Sequence, residues 1–225
     1  MATWNELFER GEGIADYPAV EVQKFISLLE RRFEERPLRI WDLCCGAGRH
    51  AVAIAGRGHD AYASDVATSG IELTQQRLAR TGLSARTAVA DMTDRPWPDT
   101  TFHGVLSWES LHHNTLPNIL AALGVVHASL VDGGLFIATL KSTRADSFGI
   151  GEEIEPGTFV QDSGRESGVP HHFFDEEGVR DALRDWEMLS LVDISCRYAE
   201  RSPDFLEVNP FRYTAWGVLA RKRAA

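Results

Sequence analysis

The sequence predicts an α/β fold built as a doubly wound, mostly parallel sheet. Apolar runs of strand length alternate with stretches of helical periodicity from residue 38 to residue 140. A glycine loop, Gly46-Ala47-Gly48, directly follows the first run. The chain then closes with two extended runs that have no helix between them.

Composition sets the limits. With 225 residues, 44% hydrophobic and 25% charged, the chain suits one globular domain with a sizeable core. Its formal net charge of -10 argues against nucleic acid as a partner, because neutralising phosphates needs a basic face, and the short "RKR" at 221 to 223 reads as a solvated terminus. No apolar stretch is long enough to span a bilayer, so no membrane partner is expected, and "MATWNELFERGEG" lacks the basic start and apolar centre of a signal peptide. A cytoplasmic location follows as an expectation. Cys44, Cys45 and Cys196 are odd in number and two are adjacent, which fits neither a disulfide framework nor a CxxC zinc spacing; they read as reduced core thiols.

Residues 1–36 hold two helices. Thr3 with Glu6 forms a capping-box pattern, and Pro18 opens a second helix whose apolar stripe is Val22, Phe25, Ile26, Leu29 and Phe33. Residues 37–140 form a cofactor-binding core. There "LRIWDLC" is the first strand, "RHAVAIAGRG" a helix ended by glycine, and "DAYASD" the second strand. Ser69 and Glu72 cap the next helix, which runs through Leu78 and ends near Gly82. "ARTAVAD", "FHGVLSW" and "GLFIATL" are three further strands, the last two separated by a helix opened at Pro117. Residues 141–174 are polar and glycine-rich, and read as a mobile active-site cover. In 175–225 a helix from about Asp175 precedes "EMLSLVDISCR" and "FRYTAWGVLAR", an antiparallel strand pair joined by a loop with Pro203 and Pro210.

Ligands of such sheets bind beyond the carboxyl ends of the strands, where the winding reverses. The run Gly46-Ala47-Gly48-Arg49-His50-Ala51 satisfies the relaxed dinucleotide pattern G-x-G-x-x-G/A, with Asp65 at the distance of a ribose-binding acid. Asp42, immediately before the loop, would repel a pyrophosphate. It suits a ligand whose near end carries an ammonium and a sulfonium, as S-adenosyl-L-methionine does. On that reading the glycines admit the ligand to the backbone, Asp65 accepts the ribose hydroxyls, and Asp91 with Met92 meets the adenine.

With these residues in place the chain resembles the class I S-adenosylmethionine-dependent methyltransferases. "DLCCGAGRH" is similar to their glycine motif, with Cys44 where glycine is commonest, and "ASDVATSGIELTQQRL", which contains Val66, to their ribose segment. "VADMTDRPWPDTTFHGVLS", ending at Ser107, is similar to their adenine segment and fourth strand, with His103 where an acid often stands. "LVDGGLFIAT" is similar to their turn into the fifth strand. The resemblance implies a Rossmann-like methyltransferase sheet of seven strands with an antiparallel last strand. It also implies S-adenosyl-L-methionine as cofactor and S-adenosyl-L-homocysteine as product, held by Asp42, Cys44, Gly46, Gly48, Asp65, Val66, Asp91, Met92 and Ser107. More loosely, "GVPHHFFDEEGVRDALRDWEMLSL" with "FRYTAWGVLARK" resembles the tail of tellurite-resistance-type methyltransferases and their small-molecule relatives.

Methyl transfer asks mainly for alignment and exclusion of water, and a base only for a protic small-molecule acceptor. His112 and His113 in "SWESLHHN", and His172 in "PHHFF", are the candidate bases. Each has a plainer reading, as a helix start or a loop tether. Tyr17, Trp108, His171 and Phe173 are candidate walls of an acceptor pocket, and Trp4 and Phe174 are further aromatics that could line it, although aromatics at such places also serve cores. No metal site is expected, because adjacent histidines rarely aim their rings together and no i, i+4 pair occurs. Two rivals stand beside methyl transfer: a nicotinamide-dependent oxidoreductase, and a non-catalytic subunit that keeps the S-adenosylmethionine pocket. A third possibility within the fold is use of the sulfonium electrostatically. Oligomeric state leaves no mark on the sequence.

Overall fold

The first helix of the chain, α1 (Trp4–Glu9), buries Leu7 and Phe8. This computed structural model describes residues 4–199 and 210–223; the side chains of 196–199 and 210–213 lie outside what it describes. The cap at Thr3, the loop at Pro203 and the thiol of Cys196 therefore fall outside the described residues. In α2 (Val20–Arg32) the expected stripe is buried at Val22, Phe25, Ile26 and Leu29. Phe33 is the C-cap instead, and the helix begins after Ala19, two residues later than Pro18 would open it.

The core then alternates: β1 (Arg39–Leu43), α3 (Arg49–Gly56), β2 (Asp60–Asp65), α4 (Thr68–Arg80), β3 (Arg86–Val89), β4 (Phe102–Ser107), α5 (Leu116–Ser129) and β5 (Leu130–Lys141). Three short strands follow, β6 (Glu152–Glu155), β7 (Thr158–Val160) and β8 (Pro170–His172). The chain finishes with α6 (Glu176–Ala182), β9 (Trp186–Ala199) and β10 (Pro210–Lys222). Seven strands make one sheet in the order β3-β2-β1-β4-β5-β10-β9, and β10 runs antiparallel to both of its neighbours. The winding reverses between β1 and β4, which pair in parallel.

Strand side chains point alternately to the two faces, and the core divides accordingly. Trp41, Val105 and Phe136 pack with Ile119, Leu123 and Val126 of α5 and Val179 of α6. Ile40, Leu106 and Ile137 pack with Phe25, Ile26 and Leu29 of α2 and Ile54 of α3. Burial on both faces is why the strands read as continuous apolar runs. At about 25 cal/mol per Å² of apolar surface, this sandwich supplies most of the driving force for folding.

One local expectation is corrected, and the segment 141–174 proves more regular than its composition suggests. Helix α4 has Ala67 at its N-cap with no side-chain bond there, because Ser69 is used elsewhere: its backbone N–H and hydroxyl both donate to Asn5 Oδ1 at 3.0 Å, tying α1 to α4. Residues 141–174 are not a structureless loop. They fold as the antiparallel sheet β6-β7-β8 around their own small core of Ala145, Phe159 and Phe173. Both ends are tied to the main sheet: Phe174 N–H donates to Lys141 O at 2.7 Å, and the Trp216 indole N–H to Phe174 O at 2.9 Å. The helix expected from about Asp175 is α6, and Asp175 is its N-cap, the carboxylate accepting from Gly178 N at 2.7 Å.

Candidate active site

The glycine loop leaves β1 through left-handed backbone. Gly46 and Gly48 have φ of 53° and 77°, and a Cβ on Gly48 would lie 2.5 Å from Thr74 Oγ1, so this turn packs backbone directly on α4. Cys44 also has positive φ, at 58°. A non-glycine residue in this left-handed conformation costs about 1–2 kcal/mol of strain, which fits glycine being commonest there. A second non-glycine residue in this region, Glu109 with φ 59°, follows β4. Its backbone N–H donates to Thr139 Oγ1 at 2.7 Å, and its carboxylate pairs with Arg49 at 2.7 Å. Strained backbone thus brackets the point where the winding reverses, as it does around many ligand sites.

The three acids stand at the ends of consecutive strands, and each has a partner. Asp65, 7% exposed, accepts from Gly46 N at 2.8 Å and from Ala67 N at 2.9 Å, clamping the glycine loop to the start of α4. Burial raises its pKa despite those two amides. Asp91 accepts from both the backbone N–H and the hydroxyl of Thr93, and stays half-buried at the cleft. Asp42 is only 1% exposed and accepts from Ala51 N at 3.1 Å, with His50 Nδ1 3.9 Å from its other oxygen. Burial pushes its pKa up to about 8. The carboxylate thus presents almost no surface to an incoming ammonium, and its immediate work is to hold the N-terminal turn of α3. Around them Val66 is exposed, Met92 is buried, and Ser107 Oγ lies 2.7 Å from Ser110 Oγ. Burial, reinforced by the nearby acids, raises both Cys44 and Cys45 well above the usual thiol range, so these free thiols are unreactive packing groups.

The histidines separate into two groups. His50, His59 and His103 each accept a backbone N–H, from Ala19, Leu38 and Arg39 respectively, and serve the fold. His112, His113 and His171 gather beyond β4. The rings of His112 and His113 are 4.2 Å apart, that of His171 lies 4.9 Å from His113 at 85°, and Trp4 covers His113 at 4.9 Å. Adjacent histidines therefore do share a site here, because Ser110 O accepts from His113 N in a tight turn and the cover brings the second pair over the first. The cover is joined at this point by His172 N–H donating to His112 O at 2.9 Å. Burial lowers the pKa of His112, His113 and His172, so all three are neutral near pH 7. His172 Nδ1 is 2.7 Å from Thr158 Oγ1, which makes it a tether within the cover.

Glu166 was missed by sequence reasoning. Its Oε2 lies 2.8 Å from His171 Nε2 and 3.6 Å from His113 Nε2. Burial raises this carboxyl, but the two imidazoles outweigh burial and hold it well below the usual range. It sits in the aperiodic stretch "DSGRESG", where no local signal marks it. The expected pocket walls fare unevenly. Tyr17 is 84% exposed, and its carbonyl meets Arg49. Trp108 packs against the core of α2, and Phe173 belongs to the small core of the cover. Trp4 does reach the site. A cleft of about 800 Å³ lies elsewhere, between α5, α6 and the cover beside Leu120, Phe148 and Trp186; none of the three acids lines it.

Residues 40–134 match the family model described as a methyltransferase domain. Among solved structures, an S-adenosylmethionine-dependent methyltransferase from Methanosarcina mazei is similar with a TM-score of 0.71 at 16% identity, over 88% of this chain and 98% of that one. TehB from Haemophilus influenzae is similar at 0.68 and 15%, over 98% and 67%. Magnesium protoporphyrin IX methyltransferase from Synechocystis PCC 6803 with bound SAM is similar at 0.60 and 14%, over 91% and 78%. At such identities the likeness is one of fold. Taken with the matched domain over residues 40–134, it gives this chain a methyltransferase domain on the fold shared with S-adenosylmethionine-dependent methyltransferases, with S-adenosyl-L-methionine as the cofactor. The residues present fit that cofactor: a glycine turn with no room for a Cβ, followed by carboxylates at the next two strand ends.

Proposed function

We propose that this enzyme methylates a small-molecule nucleophile held beneath the β6-β7-β8 cover. The observation that carries the reading is the enclosure of the cluster beyond β4, where His112 and His171 are 1% and 3% exposed. The cover lies on one side and Trp4 on another. A site closed in this way favours a small acceptor over a folded macromolecule, and the net charge of -10 weighs against nucleic acid.

In this reading Gly46 and Gly48 let the backbone approach the cofactor. Asp65 has lone pairs beyond the two amides with which to accept ribose hydroxyls. Asp91, Met92, Val66 and Ser107 border the base, and Cys44 and Asp42 set the shape of the loop. When bound, the cofactor would supply an electrophilic methyl group on sulfur for in-line displacement by the acceptor, the electron pair of the broken carbon–sulfur bond passing to sulfur. The protein aligns the acceptor and excludes water. His112 and His113, both neutral, are the groups able to take a proton from a protic acceptor. Free Cys44 and Cys45 support a reducing, cytoplasmic setting.

Calorimetry with S-adenosyl-L-homocysteine and with NAD, followed by a screen of small acceptors with radiolabelled cofactor, tests the reading. Tight binding of the homocysteine product, no binding of NAD and label in a small acceptor are expected. Label appearing only in protein or nucleic acid would overturn it.

A further inference from the structure

We propose that His113, Glu166 and His171 form a binding site for a divalent transition cation of the zinc type on the acceptor side of the active site, an inference that rests on the placement of the acceptor given above. One ligand atom from each of the three residues can be chosen so that all lie within 4.8 Å of one another. Glu166 Oε2 stands 2.8 Å from His171 Nε2 and 3.6 Å from His113 Nε2. Ligands bound at about 2.0–2.1 Å in a tetrahedral shell stand roughly 3.3 Å apart, so these spacings bracket the requirement and a small inward adjustment completes it.

The tautomer of His171 is the stronger argument. Its Nδ1 lies 2.9 Å from the carbonyl oxygen of Val169, an acceptor only, so Nδ1 carries the proton. Its Nε2 faces a carboxylate oxygen of Glu166 at 2.8 Å, so a proton or a metal ion stands between these two atoms, and an ion bound here takes the proton's place. A backbone carbonyl on Nδ1 with Nε2 turned toward the site is the arrangement that orients metal-bound imidazoles. His113, at 3.6 Å from the same oxygen, is beyond good hydrogen-bonding distance but within reach of a shared ion.

The site is also rigid. The His113 ring is held by Trp4, His112 and His171 at 4.9, 4.2 and 4.9 Å. Glu166 Oε1 is anchored by Arg165 at 2.8 Å. Lys141 is the neighbouring cation, but its ammonium rests over the Phe173 ring, 5.1 Å from the centroid. Two imidazoles and one carboxylate select zinc-like ions over calcium or magnesium, which prefer all-oxygen shells. Three protein ligands leave a fourth position open, and an oxygen or sulfur of the acceptor bound there would lose its proton more readily. The location suits that use: helix α1 carries Trp4 over His113, while its Phe8 would lie 3.2 Å from a Cβ on Gly46, so one short helix touches both the cluster and the glycine loop.

The test uses the full-length protein, stripped with chelator and titrated with Co(II) as a spectroscopic probe and with Zn(II) by calorimetry. S-Adenosyl-L-homocysteine binding is measured in parallel. One equivalent of Co(II) should bind with visible bands of a low-coordinate nitrogen and oxygen site. Glu166→Gln and His171→Gln should each weaken it on the order of a hundredfold or more while leaving S-adenosyl-L-homocysteine affinity intact. Absence of stoichiometric uptake by the wild type, or uptake unchanged in a His113→Asn/His171→Gln double variant, overturns the site. If the wild type binds S-adenosyl-L-homocysteine but no metal, the metal inference alone fails; if it binds neither, the functional reading fails with it.

Discussion

Replacing Asp65 by alanine should damage the empty protein and its cofactor affinity together. The sequence alone suggests that the fold survives this change, since a strand-end carboxylate facing a cleft leaves no cavity. The structure alters that expectation, because both oxygens of Asp65 satisfy backbone amides, those of Gly46 and Ala67 at 2.8 and 2.9 Å, in a residue only 7% exposed. Each buried amide left without a partner costs about 1–3 kcal/mol, partly offset here because the charged carboxylate no longer has to be buried. The net loss should be about 2–4 kcal/mol of unfolding free energy. Loss of charge-assisted bonds to the ribose should lower affinity roughly tenfold to a hundredfold. Asp65→Asn retains one acceptor oxygen, so it should recover about half of the stability without recovering affinity. Urea unfolding of the cofactor-free variants and calorimetry with S-adenosyl-L-homocysteine measure both quantities. A wild-type urea midpoint for the alanine variant would refute the clamp; unchanged affinity in both variants would refute the ribose assignment.

Gly48→Ala should lower stability by about 1–2 kcal/mol through its left-handed backbone alone, with further loss from the 2.5 Å approach to Thr74, and should abolish cofactor binding; thermal melting with and without S-adenosyl-L-homocysteine checks this. Asp42 gives the empty protein a pH dependence. Its folded pKa of about 8 stands above its ordinary 3.8, so its contribution to stability is fully present below pH 4 and is lost as pH rises through 8. His50, lowered by burial from 6.5 to about 3, acts oppositely, destabilising as pH falls from 6.5 to 3. Between pH 6.5 and 8 Asp42 therefore acts without His50. The wild type should lose on the order of 2 kcal/mol across that window while Asp42→Asn stays flat, as read from urea midpoints. Phe159→Ala, in the small core with Ala145 and Phe173, should open the cover, seen as faster proteolysis within residues 144–169 at an unchanged global melting temperature.

The alternation of strands and helices from residue 38 to residue 140 was legible because both sheet faces are buried, so β1, β2 and β4 are buried at nearly every position and rich in apolar residues, and the helices between them keep a 3.6-residue stripe. The glycine turn and the acids at three strand ends were legible for a related reason: the chemistry sits at fixed offsets from elements that the chain itself announces. Residues 141–174 were not, since Phe148, Phe159 and Phe173 are too sparse to show a period and become a core only when three short strands fold onto one another. Cys44 could be flagged from its position, but its φ of 58° depends on the path of the finished loop. The sequence by itself determined the sheet and the acids at its strand ends, because those follow from local periodicity and spacing. Only the tertiary structure decided that Asp42 and Asp65 hold backbone amides, that Tyr17 faces solvent, and that Glu166 meets His113 and His171, because contacts between residues tens of positions apart depend on how the elements pack.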